Sequence, residues 1–187
     1  MNDSELIAAA RAFAIERHAG KFRLNRAREP YAVHVIEVGM LVQASGGSAE
    51  EIAAGFLHDT LEDTETTILE IRMRFGDVVA QIVDGLTDPK GFYGMPTLAR
   101  KTLQAARVRG ESDSVKRCKN ADGTSNMRSC AVDPPIKWNR QKCLDYAEGA
   151  RLVAIECAEV NAFLDEEFRK AHAEALALIG RRFPAVE

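Results

Sequence analysis

Apolar positions recur at helical spacing along nearly the whole chain. Leu6, Ala10, Phe13 and Arg17 fall on one helix face, and Asn2 stands three residues before Glu5, a cap signature. Pro30 is placed to open a second helix through Val33, Ile36, Met40 and Leu41, which Gly46-Gly47 stops. Ser48 and Glu51 form a capping-box pattern for a third, with Ile52, Ala53, Phe56 and Leu57 on its apolar face. Thr67 and Glu70 repeat the pattern for a fourth, closed by Gly76, and Asp77 opens a short fifth to about Asp84. The stretch TDPKGFYGMP (Thr87 to Pro96) is rich in breakers and predicts a loop. Helical pattern returns over Thr97 to Val108, breaks near Gly110, resumes around Val115 and stops at Asp133-Pro134-Pro135. Leu144, Ala147, Ala150 and Leu152 mark a later helix, and Phe163, Phe168, Leu176 and Ile179 mark another. Strand alternation and internal repeats are absent from this pattern. It predicts an all-α, single-domain helical bundle over residues 1–187.

Composition supports a folded chain and removes some function classes. With 187 residues, 46% apolar and 28% charged, the chain is long enough to bury a core without staples. A net charge of -3 provides no global basic field for nucleic acid or a membrane surface. The four cysteines, Cys118, Cys130, Cys143 and Cys157, form no CxxC pair and read as free thiols in a reducing compartment. The amino terminus lacks the pattern of a signal peptide, and no run of about 18 apolar residues occurs. A cytoplasmic location is expected.

The stretch GFLHDTLEDTET (Gly55 to Thr66) crowds carboxylates where an apolar helix face ends. If the helix continues through it, His58 and Glu62 share a face with Asp59 and Asp63 beside them. An adjacent His-Asp pair can offer nitrogen and oxygen to one divalent cation, which would neutralise the crowding. One helix rarely completes a coordination sphere. His34, inside the apolar face of the preceding helix, and Asp122, in KNADGTSNM, are available partners among the histidines and carboxylates. A lone histidine on an apolar face is ordinarily a core residue, and aspartate before glycine ordinarily forms a turn. The ordered set of His, then His-Asp, then Asp on a helical scaffold favours the metal reading.

That set resembles the metal-binding signature of the HD-domain phosphohydrolases. Within them it is most similar to the hydrolase domain of the RelA/SpoT homologues, specifically the small alarmone hydrolases that include metazoan SpoT-like enzymes. The matching stretches are HAGKFRLNRAREPYAVH (His18 to His34), LHDTLEDT (Leu57 to Thr64), FGDVVAQIVDGLTD (Phe75 to Asp88), ARK (Ala99 to Lys101), KNADGTSNMR (Lys119 to Arg128) and KCLDY (Lys142 to Tyr146). The resemblance implies that His34, His58, Asp59 and Asp122 hold one metal, most often manganese in the family. Glu62 and Asp63 would orient and deprotonate the attacking water. Arg23 would pack on the base, Asn126 would lie near the ribose and phosphates, and Arg100 and Lys101 would reach the pyrophosphate. Lys142 and Tyr146 would line the nucleotide pocket. Leu24 and Lys21 stand where relatives have a second basic residue and a glutamine, and Gly123 is unusual inside a helix.

The implied reaction removes the 3′-pyrophosphate of ppGpp or pppGpp, giving GDP or GTP and pyrophosphate. Two other readings compete with it: an HD-type nucleotidase acting on another nucleotide such as NADPH or an adenosine alarmone, and a nucleotide-sensing, antitoxin-like binding protein. In each case the expected partner is a small nucleotide.

Overall fold

The computed structural model describes residues 1–92 and 94–183. Among them, ten α-helices follow one another in the order α1 (Asp3–Arg17), α2 (Tyr31–Ala44), α3 (Ala49–Leu57), α4 (Thr60–Asp63), α5 (Ile68–Phe75), α6 (Asp77–Leu86), α7 (Thr97–Val108), α8 (Asp113–Val132), α9 (Arg140–Cys157) and α10 (Ala162–Arg182). A 3₁₀ turn, Lys90–Phe92, lies in the expected loop before α7; Tyr93 of that loop, and the end of the expected 1–187 unit, fall outside the described residues. The fold is all-α. Its only pairing of strand type among the described residues is an isolated antiparallel bridge between Phe22 and Pro30.

The expected caps of α1 and α3 form. Asn2 and Glu5, and Ser48 and Glu51, each exchange both bonds of a capping box, satisfying amide groups that the first turn would otherwise leave bare. The cap of α5 departs slightly: Thr67 accepts from the Glu70 amide, but Glu70 turns to Arg17 and Arg74 instead of reaching back. Pro30 also departs. Its ψ of 132° is extended, so it precedes the helix and Tyr31 is the first helical residue.

The face of α2 is rotated from the expected one. Val33 and Met40 are exposed, whereas His34, Val35, Val38, Leu41 and Val42 are buried. The cause is a close crossing with α3. A Cβ added at Gly39 would fall 2.4 Å from the Phe56 ring, and one at Gly55 would fall 3.2 Å from Gly39 Cα. Only glycine lets the backbones approach there, and the approach turns His34 inward. In α10, similarly, Phe163 and Leu176 face solvent, while Leu164, Phe168, Ala171, Ala175 and Ile179 form the buried stripe.

Two apolar clusters build the interior. The first gathers α1, α2, α3, α5, α6 and α7, with Val153 and Cys157 of α9 and Leu164 of α10, around Val115, Cys118 and Ala121 of α8. The second gathers α9 and α10 around Met127, Cys130 and Ala131, further along the same helix. All four cysteines are buried and unbridged. The α1–α2 connection is held by Tyr31 N donating to Lys21 O at 2.9 Å, Arg23 N to Glu29 O at 2.8 Å, and Ile136 N to Leu24 O at 2.9 Å. No helix among the described residues is long and apolar enough to cross a membrane.

Candidate metal centre

The α2–α3 crossing brings His34, in the first turn of α2, to His58, just past the end of α3. The helix does not run on through the acidic stretch. His58 keeps helical angles (φ -53°, ψ -37°), Asp59 turns to φ -96°, ψ 0°, and α4 restarts at Thr60. Thr60 Oγ1 donates to Leu57 O at 2.6 Å across this break. Neighbouring residues of a continuous helix point about 100° apart. The break instead lets His58 Nε2 and Asp59 Oδ2 converge at 3.0 Å.

The other donors close in from α2 and α8. His34 Nε2 lies 3.2 Å from His58 Nε2, and 3.5 Å from both Asp59 Oδ2 and Asp122 Oδ1. Asp122 Oδ1 is 3.8 Å from His58 Nε2. His34, His58 and Asp59 form a compact group able to hold a metal, with Asp122 at its edge. Adjacent donors around a cation with bonds near 2.1 Å at right angles stand roughly 3 Å apart, the scale of these separations.

The Gly55 carbonyl lies 2.9 Å from His58 Nδ1; a carbonyl only accepts, so Nδ1 carries a proton and Nε2 is the nitrogen left to serve a cation. Burial works against charging His58, yet Asp59 and Asp122 beside it raise its pKa to about 9. Burial opposes ionisation of Asp59 as well, and the adjacent His58 and His34 hold its pKa well below the carboxylate range. The pocket therefore favours a positive charge between two imidazoles and ionised carboxylates, which a divalent cation supplies. The residues fit such an ion.

Surrounding side chains hold the carboxylates in place. Tyr31 donates its hydroxyl to Asp59 Oδ2 at 2.7 Å. Lys119 Nζ sits 3.2 Å from Asp122 Oδ2, and Asn126 Nδ2 donates to Asp122 Oδ1 at 2.5 Å. Asn126 in turn accepts from Arg23 Nη2 at 2.7 Å, so hydrogen bonds run from the metal group to Arg23. Glu62 accepts from the Asp88 amide at 2.6 Å, and Asp88 accepts from Gln104. Burial pushes Glu62 up to about 7; it also raises Asp63, with the Asp59 charge adding to the effect.

The basic residues spread over two neighbouring regions. Lys101 is buried, its ammonium 5.2 Å from the Tyr146 ring centroid, and burial next to Lys119 lowers its pKa to about 8. Arg23, Asn126, Trp138 and Tyr146 line one cavity. A second, of about 670 Å³, shares Arg23 and Trp138 and adds Phe22, Arg28, Lys137 and Lys142. Lys142 is exposed, with its ammonium 5.6 Å from the Trp138 ring, whose centroid lies 4.9 Å from that of Tyr146 with the two planes tilted by 52°. Arg100 is half-buried on α7, and no hydrogen bond ties it to the metal group among the described residues.

Several participants were not singled out from the sequence: Tyr31, Lys119, Asp88 and Trp138. Lys119 carried a usable signal, because it precedes Asp122 by three residues and so lies on the same helix face. Trp138 is the chain's single tryptophan, but only the folded connection to α9 places it against Tyr146.

An all-helical bundle whose crossing helices gather two imidazoles and two carboxylates is the architecture of a metal-dependent hydrolase of the HD type. The HD domain model matches residues 10–145, and the chain belongs to the HD-domain family. It is 33% identical over 166 residues to the guanosine-3′,5′-bis(diphosphate) 3′-pyrophosphohydrolase MESH1 of Xenopus tropicalis, covering 88% of this chain and 91% of that one. The MESH1 enzyme of Homo sapiens is 32% identical over 159 residues, covering 84% and 87%. A solved structure described as a metazoan ortholog of SpoT that hydrolyzes ppGpp superposes with a TM-score of 0.82 at 25% identity, over 90% of this chain and 94% of that one.

Proposed function

We propose that the chain hydrolyses the 3′-pyrophosphate of guanosine 3′,5′-bis(diphosphate), taking one water and releasing GDP and pyrophosphate, with GTP from the pentaphosphate. The observation that carries this reading is the convergence of His34, His58, Asp59 and Asp122 beside Glu62 and Asp63, in a chain similar over 88% of its length to an enzyme of that name. Residues 1–187 act as one HD-type unit, a view supported by α8 contributing to both apolar clusters.

A single divalent ion, manganese in this reading, would be held by His34, His58, Asp59 and Asp122, and when bound it supplies positive charge to the phosphate and acidity to a water. Glu62 and Asp63 orient that water and accept its proton. A buried carboxylate raised to about 7, as Glu62 is, takes a proton more readily at neutral pH than an exposed one. Arg23 offers its planar guanidinium to the base, and Asn126 links that group to Asp122 next to the sugar and phosphates. Lys101, with Arg100 beside it on α7, balances charge on the departing pyrophosphate. Tyr146 and Lys142 close the base side around Trp138.

The test is pyrophosphate release from ppGpp by the purified, manganese-loaded chain. Release with GDP as co-product is expected, and faster turnover than on other nucleotides. Absence of turnover on ppGpp, alongside turnover of a simple 5′-nucleotide or of NADPH, would overturn the proposed substrate while keeping the hydrolase.

A further inference from the structure

His34 differs from His58 in how its second ring nitrogen is held. His58 Nδ1 faces a backbone carbonyl, which leaves no choice of proton position. His34 Nδ1 instead faces the Ser125 hydroxyl at 2.9 Å, and a hydroxyl can donate or accept. Serines inside helices commonly return their proton to the carbonyl four residues back, as neighbouring Thr124 does to Asn120 O at 2.9 Å. Ser125 does not. Its hydroxyl donates across to α2, to Glu37 Oε2 at 2.6 Å.

Glu37 is itself fixed as an acceptor. Arg128 Nη1 donates to its other oxygen at 2.8 Å, while Arg128 Nη2 is tied to Glu167 of α10. A hydroxyl has one proton. With that proton on the Glu37 side, Ser125 can only accept from His34, so Nδ1 carries hydrogen and Nε2 turns its lone pair to the donor group. If the proton ran the other way, Nε2 would bear hydrogen at the point where the four donors converge.

We infer that Ser125 and Glu37 are positioning residues, a relay running from Arg128 through Glu37 and Ser125 that fixes the tautomer of His34 and so its readiness to bind a cation. The inference rests on the reading of His34 as a metal ligand. It also explains why a polar path occupies the buried α2–α8 interface, where Ser125 is 2% exposed and His34 Nδ1 needs a partner.

Two substitutions disturb the relay differently. Ser125→Ala removes the acceptor. Glu37→Gln leaves one carbonyl oxygen for two donors; the charged Arg128 takes it, the amide hydrogens turn to Ser125, and the serine hydroxyl turns to donate to His34 Nδ1, which favours the tautomer with hydrogen on Nε2. Because the Glu37 side chain is 33% exposed, that change opens no buried hole. The full-length chain, stripped with chelator, is titrated with manganese while the thermal midpoint of the stripped protein is recorded separately. Loss of an outer hydrogen-bond partner weakens metal binding by about 10- to 100-fold, the shift expected in both variants. At saturating manganese, their turnover should return toward the unaltered chain's. Manganese affinity within twofold of the unaltered chain in Glu37→Gln would overturn the relay, even if Ser125→Ala lost stability. An unaltered chain that binds no manganese, zinc or other divalent ion would overturn the metal reading, and the relay with it.

Discussion

Replacing Gly149 by alanine tests how the fold positions the site. Gly149 lies where α9 crosses α7, and a Cβ there would fall 2.4 Å from Lys101 Cβ and 2.7 Å from its Cγ. Those atoms are close to the α7 backbone, so rotating the far end of the lysine does not relieve the clash. Overpacking of this kind costs about 1–3 kcal/mol, and removing a glycine from a helix interior returns about 0.5–1 kcal/mol. An approach of 2.4 Å to an atom held by the backbone belongs in the upper half of that range, so the net is a loss of roughly 1–2.5 kcal/mol, or about 2–10 °C in thermal midpoint for a chain of this size. Gly180, an exposed position in α10 with nothing within 4 Å of its added Cβ, is the control. There the same change should raise stability by about 0.5–1 kcal/mol. Because Lys101 is displaced, Gly149→Ala should also raise KM for ppGpp, while Gly180→Ala should not. Thermal unfolding and initial rates measure both. A Gly149→Ala chain as stable as the unaltered one, with unchanged KM, would refute the close crossing and the role given to Lys101.

Chelation should lower the thermal midpoint and added manganese should restore it, because the ion ties α2, the α3–α4 break and α8 together; calorimetry on stripped and reloaded protein reads this. Asp63→Asn should reduce turnover by about 10²–10⁴-fold while leaving manganese affinity near that of the unaltered chain, and a parallel loss of affinity would place Asp63 among the ligands instead. Arg23→Met should raise KM for ppGpp more than it lowers kcat, since Arg23 reaches the metal group through Asn126 and Tyr31 rather than directly. An unchanged KM would remove Arg23 from the base pocket.

Helix ends were more legible in the sequence than helix faces. Cap signatures act through bonds within one turn, so Asn2-Glu5 and Ser48-Glu51 read directly, and α7 spans the expected Thr97 to Val108. Faces depend on what lies opposite. In α2, apolar residues fall nearly all round, and periodicity alone does not choose between the stripe of Val33, Ile36 and Met40 and that of Val35, Val38 and Val42. The choice is made by Gly39 against Phe56, a contact between distant segments. In α10 the large residues Phe163 and Leu176 drew the pattern, whereas small alanines form much of the buried stripe. At the site, the ordered HD-type motif brought the four donors into view, and the structure draws them together. The helix break at Asp59 was not visible, because no glycine or proline marks it; nor was the Ser125–Glu37 path, which joins residues 88 positions apart.

Helices α8, α9 and α10 each belong to both apolar clusters, and in α8 Asp122 lies where the first half hands over to the second. The two clusters therefore share a spine whose middle turn is polar and cation-seeking. Neither cluster can come apart without pulling on that turn. A ligand gripping it acts on both at once, and the chain is expected to melt in a single transition.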